Sequence, residues 1–164
     1  MISAVVRVEH GVEALAATLS ALVPGVADGL VGDAVVLAAT RDGPVADVAD
    51  ALGAKLIAGA DRSWAMGAQA ARRDWILCLA DGDVPIDGWI RTLDRFIAAS
   101  PADRGFGRLA RRPAAPAERL FRLVGSRDVR AGDLVRRDLL LRGGPRLGRP
   151  VRVSAVLERD AAFR

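Results

Sequence analysis

The feature that most constrains the fold is a regular alternation of two kinds of segment along the first hundred residues. Short, continuous apolar runs recur four times, as ISAVVRV (2–8), AVVLAA (34–39), AKLIAG (54–59) and WILCLA (75–80). Such runs are typical of strands that are covered on both faces. Segments with apolar residues at helical spacing follow the runs, at 12–23, 44–53, 63–73 and 87–100. The alternation predicts right-handed βαβ units in a Rossmann-like α/β sheet, mostly parallel, with helices on both faces.

The character of the chain changes after Ser100, where Arg, Pro and Gly become frequent. Residues 1–100 carry 8 Lys+Arg against 13 Asp+Glu, a net charge of −5, whereas residues 101–164 carry 16 against 7, a net charge of +9. This basic part indicates an anionic partner such as phosphate, nucleic acid or a lipid surface. From composition and periodicity we predict a connecting segment over Pro101–Pro116, an amphipathic helix near Ala117–Val124, a short helix within 132–144 and a late strand over 151–157.

Single residues exclude several kinds of site. The 164 residues include one cysteine, Cys78, and one histidine, His10. An internal disulfide and a zinc site of the usual Cys/His kind are therefore excluded, and a Ser-His-Asp triad would need His10 as its base. The opening MISAVVRVEHG has no basic leader before its apolar run, which predicts neither a signal peptide nor a membrane span. We expect one compact domain in the cytoplasm.

The fourth apolar run leads directly into two carboxylates, in the stretch ILCLADGDVP (76–85). Ligands of open α/β sheets bind beyond the carboxyl ends of the strands, which is where Asp81 and Asp83 are expected. Side chains at i and i+2 point the same way in an extended segment, so both carboxylates can face one ion. Paired carboxylates bind Mg²⁺ or Mn²⁺, and the metal can neutralise a diphosphate. The alternative is an ordinary Asp-Gly turn with two solvated aspartates.

The order of these segments resembles the nucleotide-binding half of family 2 glycosyltransferases of the GT-A fold. The segments that resemble this half are SAVVRVEHGVEALAATLSAL, then VVLAATRDG, then GAKLIAG, and then GAQAARRDWILCLADGDV. The later RAGDLVRRDLLLRGGP is similar to the segment in which these enzymes place a basic pair and a Gly-Gly before the acceptor site. The resemblance implies a nucleotide-sugar-binding half over residues 1–100 and a basic, acceptor-side segment of the same domain over residues 101–164.

The resemblance also implies roles for individual residues. Asp83 would bind the metal and the sugar diphosphate, and Asp81 would lie beside it on the ribose or sugar side. Asp42 corresponds to the later aspartate of the acidic loop after the second strand. Arg136 and Arg137 are the basic pair, and two guanidinium groups can clamp a diphosphate by bidentate hydrogen bonds. A solvated face in an arginine-rich segment explains the same pair equally well.

Two departures from the family pattern affect the predicted activity. The aspartate that typically contacts the nucleobase would fall near Leu37 or Ala38, and the Glu-Asp pair that supplies the general base has no clear counterpart. An inverting transfer needs a carboxylate that takes the proton of the acceptor hydroxyl. The candidates that remain are Glu158, Asp160 and Asp133, each of which a surface charge explains as well.

Two functions follow from these observations. The first is a small glycosyltransferase that uses Mn²⁺ or Mg²⁺ and moves a sugar from a nucleoside diphosphate donor to a saccharide or lipid-linked envelope acceptor. The second is a non-catalytic module that binds a nucleotide sugar or an anionic surface. The resemblance implies peripheral contact with the inner face of the cytoplasmic membrane. The stretch ERLFRLVGSR (118–127) has the pattern of an interfacial helix, although packing against the sheet explains this pattern too. Nucleic-acid binding is not expected, because the basic part lacks an aromatic platform.

Overall fold

The computed structural model describes residues 1–41, 43–101, 105–112, 128–142, 148–159 and 161–163. Its elements, in chain order, are β1 (Ile2–Arg7), α1 (Val12–Ala27), β2 (Val31–Ala38), α2 (Pro44–Ala51), β3 (Lys55–Ala58), α3 (Trp64–Ala70), β4 (Trp75–Ala80), β5 (Asp83–Pro85), α4 (Trp89–Ala99), β6 (Phe106–Arg111), β7 (Asp133–Arg136), α5 (Arg137–Leu141) and β8 (Val151–Arg159). A single 3₁₀ turn, Ala161–Phe163, follows β8.

The strands form one eight-stranded sheet in the order β3-β2-β1-β4-β7-β6-β8-β5. The first four strands in this order are parallel, as are β6 and β8. The pairs β4–β7, β6–β7 and β5–β8 are antiparallel. The predicted Rossmann-like α/β sheet is confirmed.

The core lies on both faces of the sheet, which explains the continuous apolar runs. All six residues of β4 are buried. Alternate residues of β4 belong to different clusters: Leu77 and Leu79 pack with α1 and α4, whereas Ile76 and Cys78 pack with α3 and α5. Because each face of the central strand contacts helices, the strand shows no alternation of polar and apolar residues.

The second part of the chain differs from its sequence-based prediction in two places. The prediction of a connecting segment over 101–116 is wrong for residues 106–111, which form β6 inside the sheet. The helix predicted within 132–144 begins only at Arg137, because residues 133–136 form β7 between β4 and β6. The late strand is confirmed as β8.

Two further findings concern helices. The helix predicted near 117–124, with the membrane contact proposed for 118–127, lies outside the described residues. Within the part of the chain that the structure describes, no helix has the length and apolar character needed to cross a membrane.

Candidate functional site

The acidic motif lies at the carboxyl end of β4, in the middle of the sheet. Asp81 and Gly82 form a tight turn, and β5 begins at Asp83. Gly82 has a φ of +82°, in the region that favours glycine, and a Cβ there would lie 3.2 Å from Phe163 Cβ. The turn therefore presents two wholly buried carboxylates at the end of the sheet where ligands bind in α/β folds.

Asp81 binds the segment that connects β1 to α1. Its Oδ2 accepts hydrogen bonds from the backbone N–H of His10 (2.7 Å) and of Gly11 (2.9 Å). Its Oδ1 lies 2.9 Å from His10 Nδ1. Both oxygens of Asp81 therefore contact the segment that connects β1 to α1.

Asp83 lies against two arginines from the second part of the chain. Its Oδ2 accepts hydrogen bonds from the backbone N–H of Ala80 (2.9 Å) and from Arg111 Nη2. Arg159 Nη2 lies 3.8 Å from Oδ1, and Oδ1 has no hydrogen-bond partner among the described residues. Burial raises the pKa of Asp83 above the ordinary carboxyl value, although Arg111, the Ala80 N–H and Arg159 each oppose this shift.

Asp133, one of the candidate bases, is a second buried carboxylate with an arginine partner. It accepts hydrogen bonds from Arg108 Nε (2.7 Å) and Nη2 (2.9 Å), and from the Arg130 backbone N–H (2.9 Å). Burial raises the pKa of Asp133, and the hydrogen bond from Arg108 opposes the shift most strongly. This carboxylate holds the start of β7 against β6. Of the other candidates, Glu158 lies 3.5 Å from exposed Arg112, and Asp160 lies outside the described residues.

A cleft of about 1090 Å³ opens beside the acidic motif. Its lining includes Ala80 at the end of β4, together with Glu9, Ser63 and Arg7, whose guanidinium carbon lies 4.1 Å from the centroid of the Trp64 ring. The arginines that line the cleft are Arg7, Arg108, Arg111, Arg130, Arg152 and Arg159. Among the described lining residues Glu9 is the only carboxylate, so the cleft suits an anionic ligand.

The residues at this edge of the sheet offer few ligands for a divalent cation. No group of three or more His, Cys, Asp or Glu side chains that could hold a metal occurs in the described ranges. Mg²⁺, however, is often bound by one or two carboxylates together with substrate phosphates. Asp83 Oδ1 is a buried carboxylate oxygen that accepts no hydrogen bond from the residues that the structure describes, which makes it a suitable protein ligand for such a shared ion. Asp81 Oδ2 accepts two backbone hydrogen bonds, and Asp81 Oδ1 has the His10 contact.

The structure does not bring the predicted basic pair together with the acidic motif. Because β7 runs antiparallel to β4, Arg136 lies opposite Trp75 at the start of β4, and its guanidinium lies 5.5 Å from the Trp75 ring centroid. Arg137 donates from Nε to the Ala68 carbonyl at 2.7 Å, at the end of α3. Both arginines are thus at the opposite end of the strand from Asp81 and Asp83. Asp42 lies outside the described residues.

Sequence reasoning missed the arginines that do contact the acidic motif. The net charge of +9 after residue 100 indicated an anionic partner, but it could not select particular side chains. Arg111 and Arg159 reach Asp83 only because β6 and β8 pair with each other and β8 pairs with β5. Those pairings depend on contacts between segments that are far apart in the chain.

No protein-family model and no curated protein matches the sequence. Solved structures do match. Glucosyl-3-phosphoglycerate synthase from Mycobacterium tuberculosis in complex with Mn²⁺, UDP and glucosyl-3-phosphoglycerate matches with a TM-score of 0.68 and 14% identity, over 98% of this chain and 72% of that chain. The complex of that enzyme with Mg²⁺ and UDP gives 0.66 and 14%, over 98% and 71%. Its complex with Mn²⁺ and UDP-glucose gives 0.61 and 15%, over 85% and 57%.

At these identities the likeness concerns the fold. The chain has the fold of a GT-A glycosyltransferase, which confirms the resemblance drawn from the order of its motifs at the level of architecture. It spans between 57% and 72% of the length of these three matched structures.

Proposed function

We propose that the protein is a glycosyltransferase that binds a nucleoside diphosphate sugar in the arginine-lined cleft and transfers the sugar to an acceptor. The observation that carries the proposal is the position of Asp83. This carboxylate is buried at the carboxyl end of the central strand and contacts two arginines of the cleft, and its Oδ1 has no hydrogen bond within the described part of the chain. The matched structures, whose fold this chain shares, contain UDP with Mn²⁺ or Mg²⁺.

In this proposal each part of the site has a separate task. Asp83 would hold Mn²⁺ or Mg²⁺, which neutralises the charge that develops on the leaving diphosphate. Arg111 and Arg159 bind phosphate oxygens, because guanidinium groups form strong bidentate hydrogen bonds with them. Asp81 positions the segment after β1 through its bonds to His10 and Gly11. Its task is to hold the edge of the donor site in place.

Two parts of the cleft lining suit different parts of the donor. The Arg7–Trp64 pair offers a planar surface that can lie along a nucleobase or ribose. The arginines of β6 and β8 suit phosphate groups. A uridine diphosphate sugar is the first donor to test, because UDP and UDP-glucose occupy the matched structures.

The acceptor is proposed more broadly. A saccharide or lipid-linked envelope acceptor remains the prediction, and the basic lining favours one that carries phosphate or carboxylate groups. Glucosyl-3-phosphoglycerate is the ligand in one matched structure, which makes phosphoglycerate a useful first acceptor probe. A cytoplasmic location with peripheral contact at the membrane is likewise a prediction.

A specific observation favours a second candidate, a non-catalytic module that binds a nucleotide sugar. Asp133 is engaged by Arg108, and Asp81 is engaged by the segment after β1, so neither carboxylate is poised as a general base. Glu9 is the one described carboxylate that lines the cleft, and it lies 3.9 Å from Arg7 Nη1. Donor binding without turnover would be the signature of this candidate.

The test combines donor binding with transfer. Thermal unfolding is followed with UDP-, GDP- and dTDP-sugars, with and without Mn²⁺, in the wild type, in Asp83→Asn and in the control Asp94→Asn, an exposed aspartate of α4. A ligand at about 100 times its Kd adds about 2.7 kcal/mol. For a chain of this size that is a rise in Tm of roughly 5–10 °C.

We expect one donor to raise the Tm, and we expect Mn²⁺ to increase this rise in the wild type and in Asp94→Asn but not in Asp83→Asn. Release of UDP on addition of an acceptor then separates the transferase from the binding module. If no donor raises the Tm of the wild type, both candidates are wrong.

A further inference from the structure

Two arginines converge on Asp83 because of the strand pairing around it. Asp83 lies directly opposite Arg159 in the β5–β8 ladder, and Arg111 lies opposite Leu157, two residues before Arg159, in the β6–β8 ladder. Side chains directly opposite each other, and side chains two residues apart on one strand, share a face of the sheet. Both guanidinium groups therefore approach the carboxylate from the same face, and both line the cleft.

The two arginines bind Asp83 differently. Arg111 forms a hydrogen bond with Oδ2, which also accepts the Ala80 N–H. Arg159 Nη2 is 3.8 Å from Oδ1, which is too long for a hydrogen bond, and the buried Arg159 Nε has no hydrogen-bond partner among the described residues. The Arg159 side chain is 29% exposed toward solvent. Arg159 thus places a positive charge beside Asp83 Oδ1 without forming a hydrogen bond to it. Oδ1 is the oxygen that a cation would bind.

We propose that Arg159 and a divalent cation compete for Asp83 Oδ1, so that Arg159 keeps the cation site closed until an anionic ligand enters the cleft. This inference rests on the proposed function, because the anionic ligand is the donor diphosphate. A buried carboxylate needs a compensating positive charge, which Arg159 helps to provide in the unliganded protein. A cation brought to the same oxygen is repelled by the guanidinium that already lies beside it.

A diphosphate in the cleft relieves this competition. Phosphate oxygens accept bidentate hydrogen bonds from guanidinium, so Arg159 exchanges Asp83 for the diphosphate and leaves Oδ1 to the cation. Nucleotide and cation then bind with positive coupling, and the coupling is the same whichever ligand is added first. We expect saturating UDP to tighten Mn²⁺ binding about tenfold or more.

The experiment measures free Mn²⁺ by electron paramagnetic resonance during titration of the protein, with and without UDP. The variants are Arg159→Gln and the control Arg91→Gln, which removes the same charge from an exposed position on α4. Arg159→Gln should bind Mn²⁺ about tenfold more tightly than the wild type without UDP, and the additional tightening caused by UDP should be smaller in this variant than in the wild type. Arg91→Gln should behave like the wild type in both titrations.

Further variants keep the test decisive. Arg159→Lys retains the charge and should keep weak Mn²⁺ binding in the absence of UDP, whereas Asp83→Asn should lose Mn²⁺ binding altogether. Circular dichroism shows that each variant is folded before its titration. Unchanged Mn²⁺ affinity in folded Arg159→Gln, or absence of Mn²⁺ binding in every form, overturns the inference. Titration of the wild type with UDP in EDTA reports separately on the donor site, so a failure of the proposed function is recognised on its own.

Discussion

The pair formed by Arg108 and Asp133 allows a quantitative prediction about stability. Asp133 is wholly buried and accepts two hydrogen bonds from Arg108, whose side chain is 15% exposed. Removing one partner of a buried ion pair typically costs 3–5 kcal/mol, because the other charge is left without compensation. Arg108 retains some contact with water, so we expect Arg108→Gln to lower the free energy of unfolding by about 3 kcal/mol near neutral pH.

The cost should depend on pH in a defined direction. Burial raises the folded-state pKa of Asp133, so the folded protein binds this proton more readily than the unfolded chain does. The free energy of unfolding therefore falls as the pH rises above the ordinary carboxyl value of about 3.9. Loss of Arg108 raises the pKa of Asp133 further, which steepens this fall and extends it to higher pH. Arg108→Gln should thus cost less at about pH 5 than at about pH 8.

Urea unfolding followed by tryptophan fluorescence measures these differences. The double variant Arg108→Gln/Asp133→Asn should be more stable than Arg108→Gln alone, because it leaves no uncompensated charge. Arg112→Gln is the matched control. Its partner Glu158 lies 3.5 Å away and the Arg112 side chain is 64% exposed, so the loss should stay below about 1 kcal/mol. Equal costs at both pH values, or a double variant no more stable than Arg108→Gln, would refute the reasoning.

Three other predictions concern the site and the sheet. Asp81→Asn should lower the free energy of unfolding by about 2–3 kcal/mol in urea unfolding, because two backbone N–H groups lose a charged acceptor. A loss below about 0.5 kcal/mol would contradict the role of Asp81 in holding the segment after β1. Gly67→Ala should lower the free energy of unfolding by about 1–3 kcal/mol in the same assay, since the added Cβ would lie 2.4 Å from Val5 Cγ1. An unchanged unfolding midpoint would show that α3 can shift to accommodate the added methyl group. Arg137→Gln should reduce thermal stability but leave UDP affinity in calorimetric titration unchanged, because the Arg137 guanidinium binds the end of α3. Weaker UDP binding would indicate that Arg137 belongs to the donor site after all.

Local patterns predicted the half of the fold that is built from local units. Each βαβ unit joins a strand to the next one through the intervening helix, so the continuous apolar runs and the helical periodicity were sufficient to predict β1 to β4 and the helices between them. The position of Asp81 and Asp83 followed from the same rule, because they come directly after the fourth strand. Their partners did not follow from it.

The antiparallel half was harder to predict because its strands are short and their neighbours are distant in the chain. The four residues of β7 pair with β4 and β6, and the last residue of β4 lies 53 residues before Asp133, the first residue of β7. A segment such as FGRLAR has too few apolar residues to be recognised as a strand, and it becomes one when β7 and β8 flank it. The direction of β7 also determines where the basic pair lies. Because β7 runs antiparallel to β4, Arg136 lies opposite the first residue of β4, at the other end of that strand from the acidic motif.

The sequence by itself determined a sheet with helices on both faces, a pair of carboxylates at its carboxyl edge and a basic second part, because apolar periodicity and net charge are properties of the chain. Only the tertiary structure decided which charges meet. Pairing of β8 with β5 and β6 brings Arg159 and Arg111 to Asp83, and pairing of β6 with β7 brings Arg108 to Asp133. The physical reason is that every residue type except proline can form the same backbone hydrogen bonds between strands, so the register of a ladder depends on packing over the whole sheet.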